Sequence, residues 1–339
     1  LPIPAENFAE AIRRSGVAVE SNLKGFEIGI AYMKGELTLP DASPKKKIRT
    51  PKPSAESMIA GVAASYPGET AAVVTEGVKR LVDYQNPAYA KLYLDRLADI
   101  LEIDRERGGE HNNWALTVET ARYLALMMSY EDIIRVADLK SRRSRFERVR
   151  TEVMAKSNEP VHMTEFLKPG FDEFTSIMPT WLGRPIMNWA MGYDWAKNYN
   201  FAMRVRTNTS FGFIRVWGLS KLRFYRPRTY RFSKEQPAIE GWLKVVKDAA
   251  SRHYQLAVEI AELANLRKGY SDTHKRGLQN FARLMADVAI PCSKADKDPA
   301  WGAEALTKLR AAALADPEGD ALNKAFRALD TPPAAAAAE

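Results

Sequence analysis

Apolar residues recur at helical spacing along most of this chain, and that periodicity constrains its fold more than any other feature. From Trp114 to Met128 the apolar positions 114, 118, 121, 125 and 128 are separated alternately by four and three residues, which places them on one face of a helix. A similar spacing recurs between Leu278 and Val288. Alternation of β-branched with polar residues, which is typical of strands, is nearly absent. The sequence therefore predicts an all-α fold, an irregular multi-helix bundle.

The longest periodic stretch runs from Glu240 to Lys268, and it predicts one helix on the order of 40 Å long. The predicted core face of this helix carries Trp242, Val245, Ala249, Leu256, Ile260 and Leu263. Fully burying side chains of this size contributes roughly 1.5–3 kcal/mol each, so packing should stabilise the helices more than local propensity does. Residues 179–232 are rich in Trp, Phe, Tyr and Arg without regular spacing, and helix ends are least defined there.

The length of the chain and one proline-rich stretch predict its domain organisation. The 339 residues exceed the roughly 250–300 at which one core usually stops growing, so two packed units are expected. Residues 37–54 contain four prolines and five Lys or Arg, and they predict an extended linker. Residues 1–36 predict a small unit of two short helices broken at Gly16, and residues 55–330 predict the main helical domain. Residues 331–339 predict a disordered tail.

Composition excludes several classes of protein. The chain has 50 Lys and Arg against 42 Asp and Glu, a net charge of +8, with 46% apolar residues, which is ordinary for a globular protein. Its longest apolar runs, such as 123–128, are too short to cross a bilayer, so no membrane association is expected. The single cysteine, Cys292, excludes an internal disulfide and a cluster held by four thiolates. Because the chain starts at Leu1 and shows no signal peptide, we expect a cytoplasmic fragment or processed product.

Motifs for enzyme chemistry are missing from the sequence. The four histidines form no H-x-x-x-H and lie near no cysteine pair, so no local metal site is predicted. The glycine-rich patterns that cradle nucleotide phosphates do not occur. The nucleophile motif G-x-S-x-G is absent, and Cys292 has no nearby His to generate a thiolate. We therefore predict no catalytic, cofactor-binding or metal-binding residue in this chain.

The most motif-like string is KGYSDTHKRG at residues 268–277, which combines glycines with polar and titratable side chains. Its candidate site residues are Lys268, Gly269, Asp272, Thr273, His274 and Arg276. A string of this kind could bind an anion. The preferred interpretation is a polar corner between two helices, in which Gly269 follows the last basic turn of one helix and Asp272 or Thr273 caps the next.

Other charged groups are interpreted as solvated. Carboxylates and arginines that lie close together on predicted helices are typical of surface ion pairs, which contribute little to stability. They are Glu119, Glu131 and Asp132, with Arg122 and Arg135. The basic run at residues 140–150 is likewise interpreted as a solvated face.

Charge is most uneven in residues 202–234, which hold nine Lys or Arg, no Asp or Glu, and seven interleaved aromatic residues. This basic aromatic segment could contact nucleic acid through phosphates and stacked bases, or it could dock an acidic protein. Equally, its arginines could pair with acidic residues while its aromatic rings fill the core. The candidate partner-docking residues are Arg215, Arg223, Arg226, Arg228 and Arg231.

Three strings of this sequence resemble the beta subunit of bacterial indolepyruvate ferredoxin oxidoreductases. They are VDYQNPAYA at residues 82–90, YLALMMSYEDIIRVADLK at 123–140, and the string at 268–277. The resemblance extends over nearly the whole chain. It implies an N-terminal catalytic domain of the pyruvate ferredoxin oxidoreductase gamma type followed by a long helical domain, and residues 1–33 resemble the closing helices of that catalytic domain.

The resemblance implies an enzyme that oxidatively decarboxylates a 2-oxoacid, an arylpyruvate, to an acyl-CoA and passes electrons to ferredoxin. Thiamine diphosphate, Mg²⁺ and iron–sulfur clusters are implied for the whole enzyme and not for this chain. Gly319-Asp320 is followed by Ala321, so the G-D-G pattern that helps hold Mg²⁺ and thiamine diphosphate is missing. No catalytic residue of the family maps onto this sequence.

These observations support three hypotheses for function. In the first, the chain is a non-catalytic helical part that organises subunits of this oxidoreductase, with the thiamine-binding subunit and ferredoxin as partners in an oligomer. In the second, it is a basic helical module that binds nucleic acid. In the third, it is a stand-alone enzyme, which requires a pocket with titratable groups converging on His274 or His162. The first is preferred because motifs for the other two are not evident.

Overall fold

A computed structural model shows two compact units, residues 1–52 and residues 53–339. The described residues are 4–16, 19–36, 54–156, 159–268, 271–294, 296–316 and 318–329. The predicted linker, apart from Ser54, and the predicted tail lie outside these ranges. The predicted domain boundaries therefore stay predictions.

The first unit contains two short helices, α1 (Ala5–Ser15) and α2 (Val19–Met33), which are separated at Gly16 as expected. They pack on each other, and the rings of Phe8 and Phe26 lie 6.0 Å apart between centroids. Neither helix buries any of its described residues. The unit therefore has little core of its own.

The second unit begins with six helices. They are α3 (Ala55–Ser65), α4 (Gly68–Tyr84), α5 (Pro87–Glu106), α6 (Ala115–Met128), α7 (Ile133–Ser141) and α8 (Arg143–Glu152). Of these helices, α3, α5 and α7 start at a side-chain N-cap. The side chain of Asn86 accepts a hydrogen bond from the backbone N–H of Tyr89, and Pro87 occupies the first position of α5. These are the roles that Asn and Pro favour at a helix N-terminus.

The middle of the second unit, residues 164–228, has short elements and little core. Strands β1 (Thr164–Leu167) and β2 (Met203–Arg206) pair antiparallel, with Thr164 opposite Arg206. The helices are α9 (Phe171–Ser176), α10 (Thr180–Ala190), α11 (Asp194–Asn198) and α12 (Ser210–Ser220), followed by a 3₁₀ helix (Lys221–Arg228). Helix ends were least defined by the sequence in residues 179–232, and the helices of this part are short.

The last part of the second unit returns to longer helices. They are α13 (Tyr230–Ala250), α14 (Tyr254–Glu262), a 3₁₀ turn (Leu263–Arg267), α15 (Ser271–Leu284), a π turn (Met285–Ala289), α16 (Ile290–Ser293), α17 (Pro299–Ala315) and α18 (Asp320–Arg327). The all-α prediction is confirmed, since the described residues contain only one small two-stranded sheet beside these helices.

The prediction of one helix from Glu240 to Lys268 is wrong, because the chain turns between α13 and α14. The ring of His253 accepts a hydrogen bond from the N–H of Leu256 (3.2 Å) and caps α14. The turn lets α13 pack against α14, and the indole N–H of Trp242 donates to the carbonyl of Ile260 (2.9 Å). One apolar stripe is thus folded against itself, which buries more surface than a straight helix would.

The core of the second unit lies between α4, α5, α6, α13, α14 and α17. Helices α4 and α5 approach closely at Gly77, where a Cβ would lie 2.4 Å from the hydroxyl oxygen of Tyr93. That hydroxyl donates to the carbonyl of Ala121 on α6 (3.1 Å). The predicted stripe of α6 contributes to this core, although Trp114 precedes the helix and is only half-buried.

Candidate functional site

Arg226, predicted as a docking residue, is 1% exposed and lies inside the fold. Its Nε and Nη2 donate to the two carboxylate oxygens of Asp132, at 2.7 and 3.2 Å. Its Nη1 donates to the carbonyl of Tyr84 (2.9 Å) and to Oε1 of Gln85 (2.7 Å), while the guanidinium lies 4.0 Å from the Tyr84 ring centroid. Burial alone would lower the pKa of Arg226, but the bond to Asp132 raises it overall. We call Arg226, Asp132, Tyr84 and Gln85 the Arg226 cluster.

This cluster corrects two predictions. Arg226 is not available for docking, and Asp132 is not part of a surface ion pair, because it is only 4% exposed. Oδ1 of Asp132 also accepts from the N–H of Arg135 (2.6 Å) and caps α7. The cation of Arg226 reaches the C-terminal carbonyl of α4, an end of a helix that favours positive charge. The carboxylate of Asp132 therefore caps the N-terminus of α7 and binds Arg226, and Arg226 in turn binds the C-terminal carbonyl of α4.

The interpretation of residues 140–150 as a solvated face is also wrong in part. Lys140 and Arg145 both form ion pairs with Glu165 on β1, and Glu165 is only 8% exposed. Burial alone would raise the pKa of Glu165, but the hydrogen bonds from these two cations hold that pKa below its ordinary value. The basic run thus anchors the small sheet to α7 and α8.

The other candidate docking residues differ in exposure. Arg215, Arg223 and Arg228 are exposed, and Arg231 is half-buried. Arg223 still contacts the core helices, because one of its Nη atoms donates to the carbonyl of Asp83 (3.2 Å). The backbone carbonyl of Arg223 accepts from the amide of Gln85 (2.9 Å). The basic aromatic segment is thus hydrogen-bonded to the string at residues 82–90.

A second site is a cleft of about 210 Å³ at the end of α6. It is lined by Arg80, Leu126, Met127, Ser129, Tyr130, Glu131, Glu173, Arg231, Glu235, Ala264, Arg267, Lys268 and His274. We call it the Tyr130 cleft. It brings together one predicted docking residue, Arg231, and two residues of the predicted polar corner, Lys268 and His274. The convergence of titratable groups on His274 that the third hypothesis requires is therefore present.

One carboxylate joins two arginines in the Tyr130 cleft. Oε2 of Glu235 accepts from Nη2 of Arg267 (2.7 Å), while Oε1 accepts from Nε of Arg231 (3.4 Å). The guanidinium of Arg231 lies 4.7 Å from the Tyr130 ring centroid, and its Nη1 donates to the carbonyl of Glu131 (3.2 Å). Burial lowers the pKa of Arg267, which shows how far this cation is removed from solvent.

The predicted polar corner is only partly as expected. Helix α15 begins at Ser271, so Asp272 and Thr273 lie within its first turn, and the prediction that one of them is the N-cap is wrong. Gly269 lies outside the described residues. Nδ1 of His274 lies 3.0 Å from the carbonyl of Arg267. Burial, and then the charge of Arg231, lower the pKa of His274.

The remaining two corner residues point to different neighbours. The ammonium of Lys268 is exposed and lies 5.5 Å from the Tyr123 ring centroid. Nη1 of Arg276 lies 3.6 Å from the carboxylate of Glu318. Of these two, only Lys268 lines the Tyr130 cleft.

Tyr130 has an unusual environment in its cleft. It is 9% exposed, and its hydroxyl is buried without a hydrogen-bond partner among the described residues. Its neighbour Ser129 accepts a hydrogen bond from Nε of Arg80 (2.5 Å) and donates to the carbonyl of Ala125 (2.6 Å). A buried hydroxyl normally finds a partner, so Tyr130 is an exception that needs an explanation.

Sequence reasoning missed five charged or aromatic residues of the cleft: Arg80, Tyr130, Glu173, Glu235 and Arg267. Weak signals for three of them were present. Tyr130 lies inside the string 123–140, Arg267 directly precedes the string 268–277, and Glu235 is the first carboxylate after the basic aromatic segment. Arg80 and Glu173 carry no such signal.

Large aromatic side chains are exposed in residues 164–228. Phe211, Ile214, Arg215 and Trp217 form what we call the α12 face, where Phe211 is 74% exposed and the guanidinium of Arg215 lies 5.5 Å from its ring centroid. A second group, the tryptophan cluster, consists of Trp189, Tyr193, Trp195 and Tyr199, which are 45–56% exposed. Neighbouring ring centroids in this cluster lie 5.1–6.4 Å apart.

Other kinds of site are not found in the part of the chain that the structure describes. No group of three metal-ligating side chains occurs there. None of its helices is both long and apolar enough to cross a membrane. Cys292 is buried, and burial raises the pKa of its thiol to about 11, which disfavours the nucleophilic thiolate.

The fold and the two sites define an all-α protein with a buried arginine cluster and a cation-lined cleft. Residues 70–287, more than half of the chain, match DUF6537, a family of unknown function, and the chain belongs to that family. This range contains the Arg226 cluster and the Tyr130 cleft. Searches of curated proteins and of solved structures found no match.

Proposed function

We propose that this chain is a non-catalytic, subunit-organising helical part of a cytoplasmic 2-oxoacid ferredoxin oxidoreductase that acts on arylpyruvates. The proposal rests on the resemblance of the strings at 82–90, 123–140 and 268–277. One structural observation carries it further, namely the exposed aromatic surface of residues 164–228. In this proposal thiamine diphosphate, Mg²⁺ and the iron–sulfur clusters are held by partner subunits.

The tryptophan cluster supports a docking role. Four rings in mutual contact, each about half exposed, leave an apolar patch in water. Patches of this kind mark interaction surfaces, and Trp and Tyr are enriched in the centres of protein interfaces. Burial of these rings against a partner would remove the cost of exposing them.

Charge indicates what kind of partner the surface fits. The α12 face and the 3₁₀ helix that follows expose Arg215, Arg223 and Arg228, in a segment without any carboxylate. A positive field next to exposed aromatic rings complements an acidic partner and speeds its encounter. The thiamine-binding subunit and ferredoxin are the proposed partners, in an oligomeric enzyme.

The test is binding of the chain to the thiamine-binding subunit and to ferredoxin by calorimetry at about 50 mM and about 500 mM salt. Combined Arg215→Glu and Arg228→Glu substitutions should weaken binding more than 10-fold at low salt and less at high salt, because salt screens charge. A control with the same charge change replaces two exposed lysines, Lys308 and Lys324, by Glu. Equal effects of both double variants, or no binding by the unmodified chain, would refute the proposal.

A second candidate function, nucleic-acid binding, is favoured by cation–aromatic pairs within residues 164–228. Besides Arg215 on Phe211, the guanidinium of Arg204 lies 5.3 Å from the Phe166 ring centroid, and the ammonium of Lys221 lies 4.9 Å from that of Trp217. Aromatic rings beside cations also bind single strands by stacking and phosphate contact. Affinity for a 20-nucleotide single strand should then fall steeply with salt, and no binding at about 50 mM salt would exclude this function.

A further inference from the structure

We propose that the Tyr130 cleft binds a small organic monocarboxylate, independently of the docking function proposed above. Four cations from different segments line it: Arg80 of α4, Arg231 of α13, Arg267 of the 3₁₀ turn, and Lys268. Within the described residues, Arg80 and Lys268 have no carboxylate within 4.0 Å, and Arg231 and Arg267 share Glu235. Cations that converge without equal countercharge favour an anion between them.

The charge balance of the cleft indicates how many negative charges the ligand carries. Three carboxylates, of Glu131, Glu173 and Glu235, line the cleft together with the four cations. Among the described side chains that line the cleft, the excess is one positive charge, and the lowered pKa of His274 favours its neutral imidazole near pH 7. A ligand with one negative charge balances this set, whereas a phosphate dianion would be repelled by the nearby glutamates.

The shape and lining of the cleft indicate that the ligand also has an apolar part. Leu126, Met127 and Ala264 form apolar lining beside the charged groups. The volume of about 210 Å³ is several times the roughly 30 Å³ share of one water molecule in the liquid. An acid with a small ring or branched chain fits this combination better than an inorganic ion does.

The experiment measures binding to the full chain by calorimetry with three probes: phenylacetate, the neutral phenylacetamide, and inorganic phosphate. Phenylacetate should bind at least 10-fold more tightly than either of the others. Lys268→Gln, which changes an exposed residue, should weaken phenylacetate binding by about 3- to 10-fold without a change in melting temperature.

Three results would overturn the proposal. They are equal binding of phenylacetamide and phenylacetate, tighter binding of phosphate than of phenylacetate, and no phenylacetate binding at millimolar concentration.

Discussion

Two regions of the second unit contain similar large apolar residues but differ in how far these residues are exposed. Between α4, α6, α13 and α14, side chains such as Leu124 and Trp242 are at most 1% exposed. In residues 164–228, by contrast, Trp181 is 75% and Phe211 is 74% exposed. The first region repeats apolar residues at helical spacing, so that several helices share one core. The second has large rings without that spacing, and these rings are exposed in this chain.

A similar contrast separates Arg226 from Arg228, two residues apart in the 3₁₀ helix. Because this helix has three residues per turn, positions 223, 226 and 229 lie on one edge. Arg223 and Arg226 bond to the end of α4 from that edge, and Thr229 is buried beside them. Arg228 lies off the edge and is exposed. Helical period, and not residue type, decides which arginine is structural.

The largest expected effect comes from breaking the Arg226 cluster. Arg226→Ala leaves the carboxylate of Asp132 buried without its cation, so the free energy of unfolding should fall by about 3–5 kcal/mol. Urea unfolding measures this loss, and Arg228→Ala should change it by less than about 0.5 kcal/mol. If both variants lose the same stability, the division of this segment into buried and exposed arginines is wrong.

The next largest effect compares apolar residues of the two regions. Leu124→Ala should lower the free energy of unfolding by about 2–5 kcal/mol, since Leu124 is fully buried and its loss leaves a cavity. Phe211→Ala removes a larger side chain but should cost less than about 0.5 kcal/mol, because that ring is mostly in water. A large loss in Phe211→Ala would show that the α12 face is covered in solution and is no free surface.

The smallest effect concerns pH and the small sheet. The pKa of Glu165 lies below its ordinary value, so its ionised form stabilises the fold above the unfolded pKa of about 4.5, and that contribution disappears as pH falls through the lower folded pKa. Glu165→Gln should therefore cost about 1–2 kcal/mol at pH 7 and almost nothing at pH 2–3. Urea unfolding at both pH values checks this.

A matched control for Glu165 is Glu147→Gln. Glu147 pairs with Arg143 on the surface of α8, where both side chains are largely exposed. This substitution should cost at most about 0.5 kcal/mol at either pH. A pH-independent loss in Glu165→Gln would contradict the role given to its ion pairs.

Much of the fold could be predicted from sequence because its causes are local. The spacing of apolar residues predicted the helices, and the break at Gly16 was predicted from a helix-terminating residue. The turn before α14 was missed because Ser251, Arg252 and His253 do not themselves exclude a helix. The turn brings the indole N–H of Trp242 to the carbonyl of Ile260, a hydrogen bond between residues far apart in sequence that local patterns do not encode.

The sites were harder to predict because their partners are far apart in sequence. Asp132 and Arg226 are 94 residues apart, and each looks like a surface charge when only its neighbours are considered. The Tyr130 cleft likewise joins α4, the end of α6, α13 and the 3₁₀ turn before α15. Arg231 and His274 were each predicted as candidate site residues, but not together. Their proximity in the cleft depends on the tertiary fold.

Because Cys292 is buried, the rate at which its thiol reacts with a reagent measures opening of the core of the second unit. The single thiol of the sequence lies in α16, a short helix that packs against α13 and α17. An alkylating reagent can reach it only when these helices separate. The labelling rate of Cys292 therefore depends on how often the core opens. A bound partner or ligand that stabilises the helices against opening should slow this labelling.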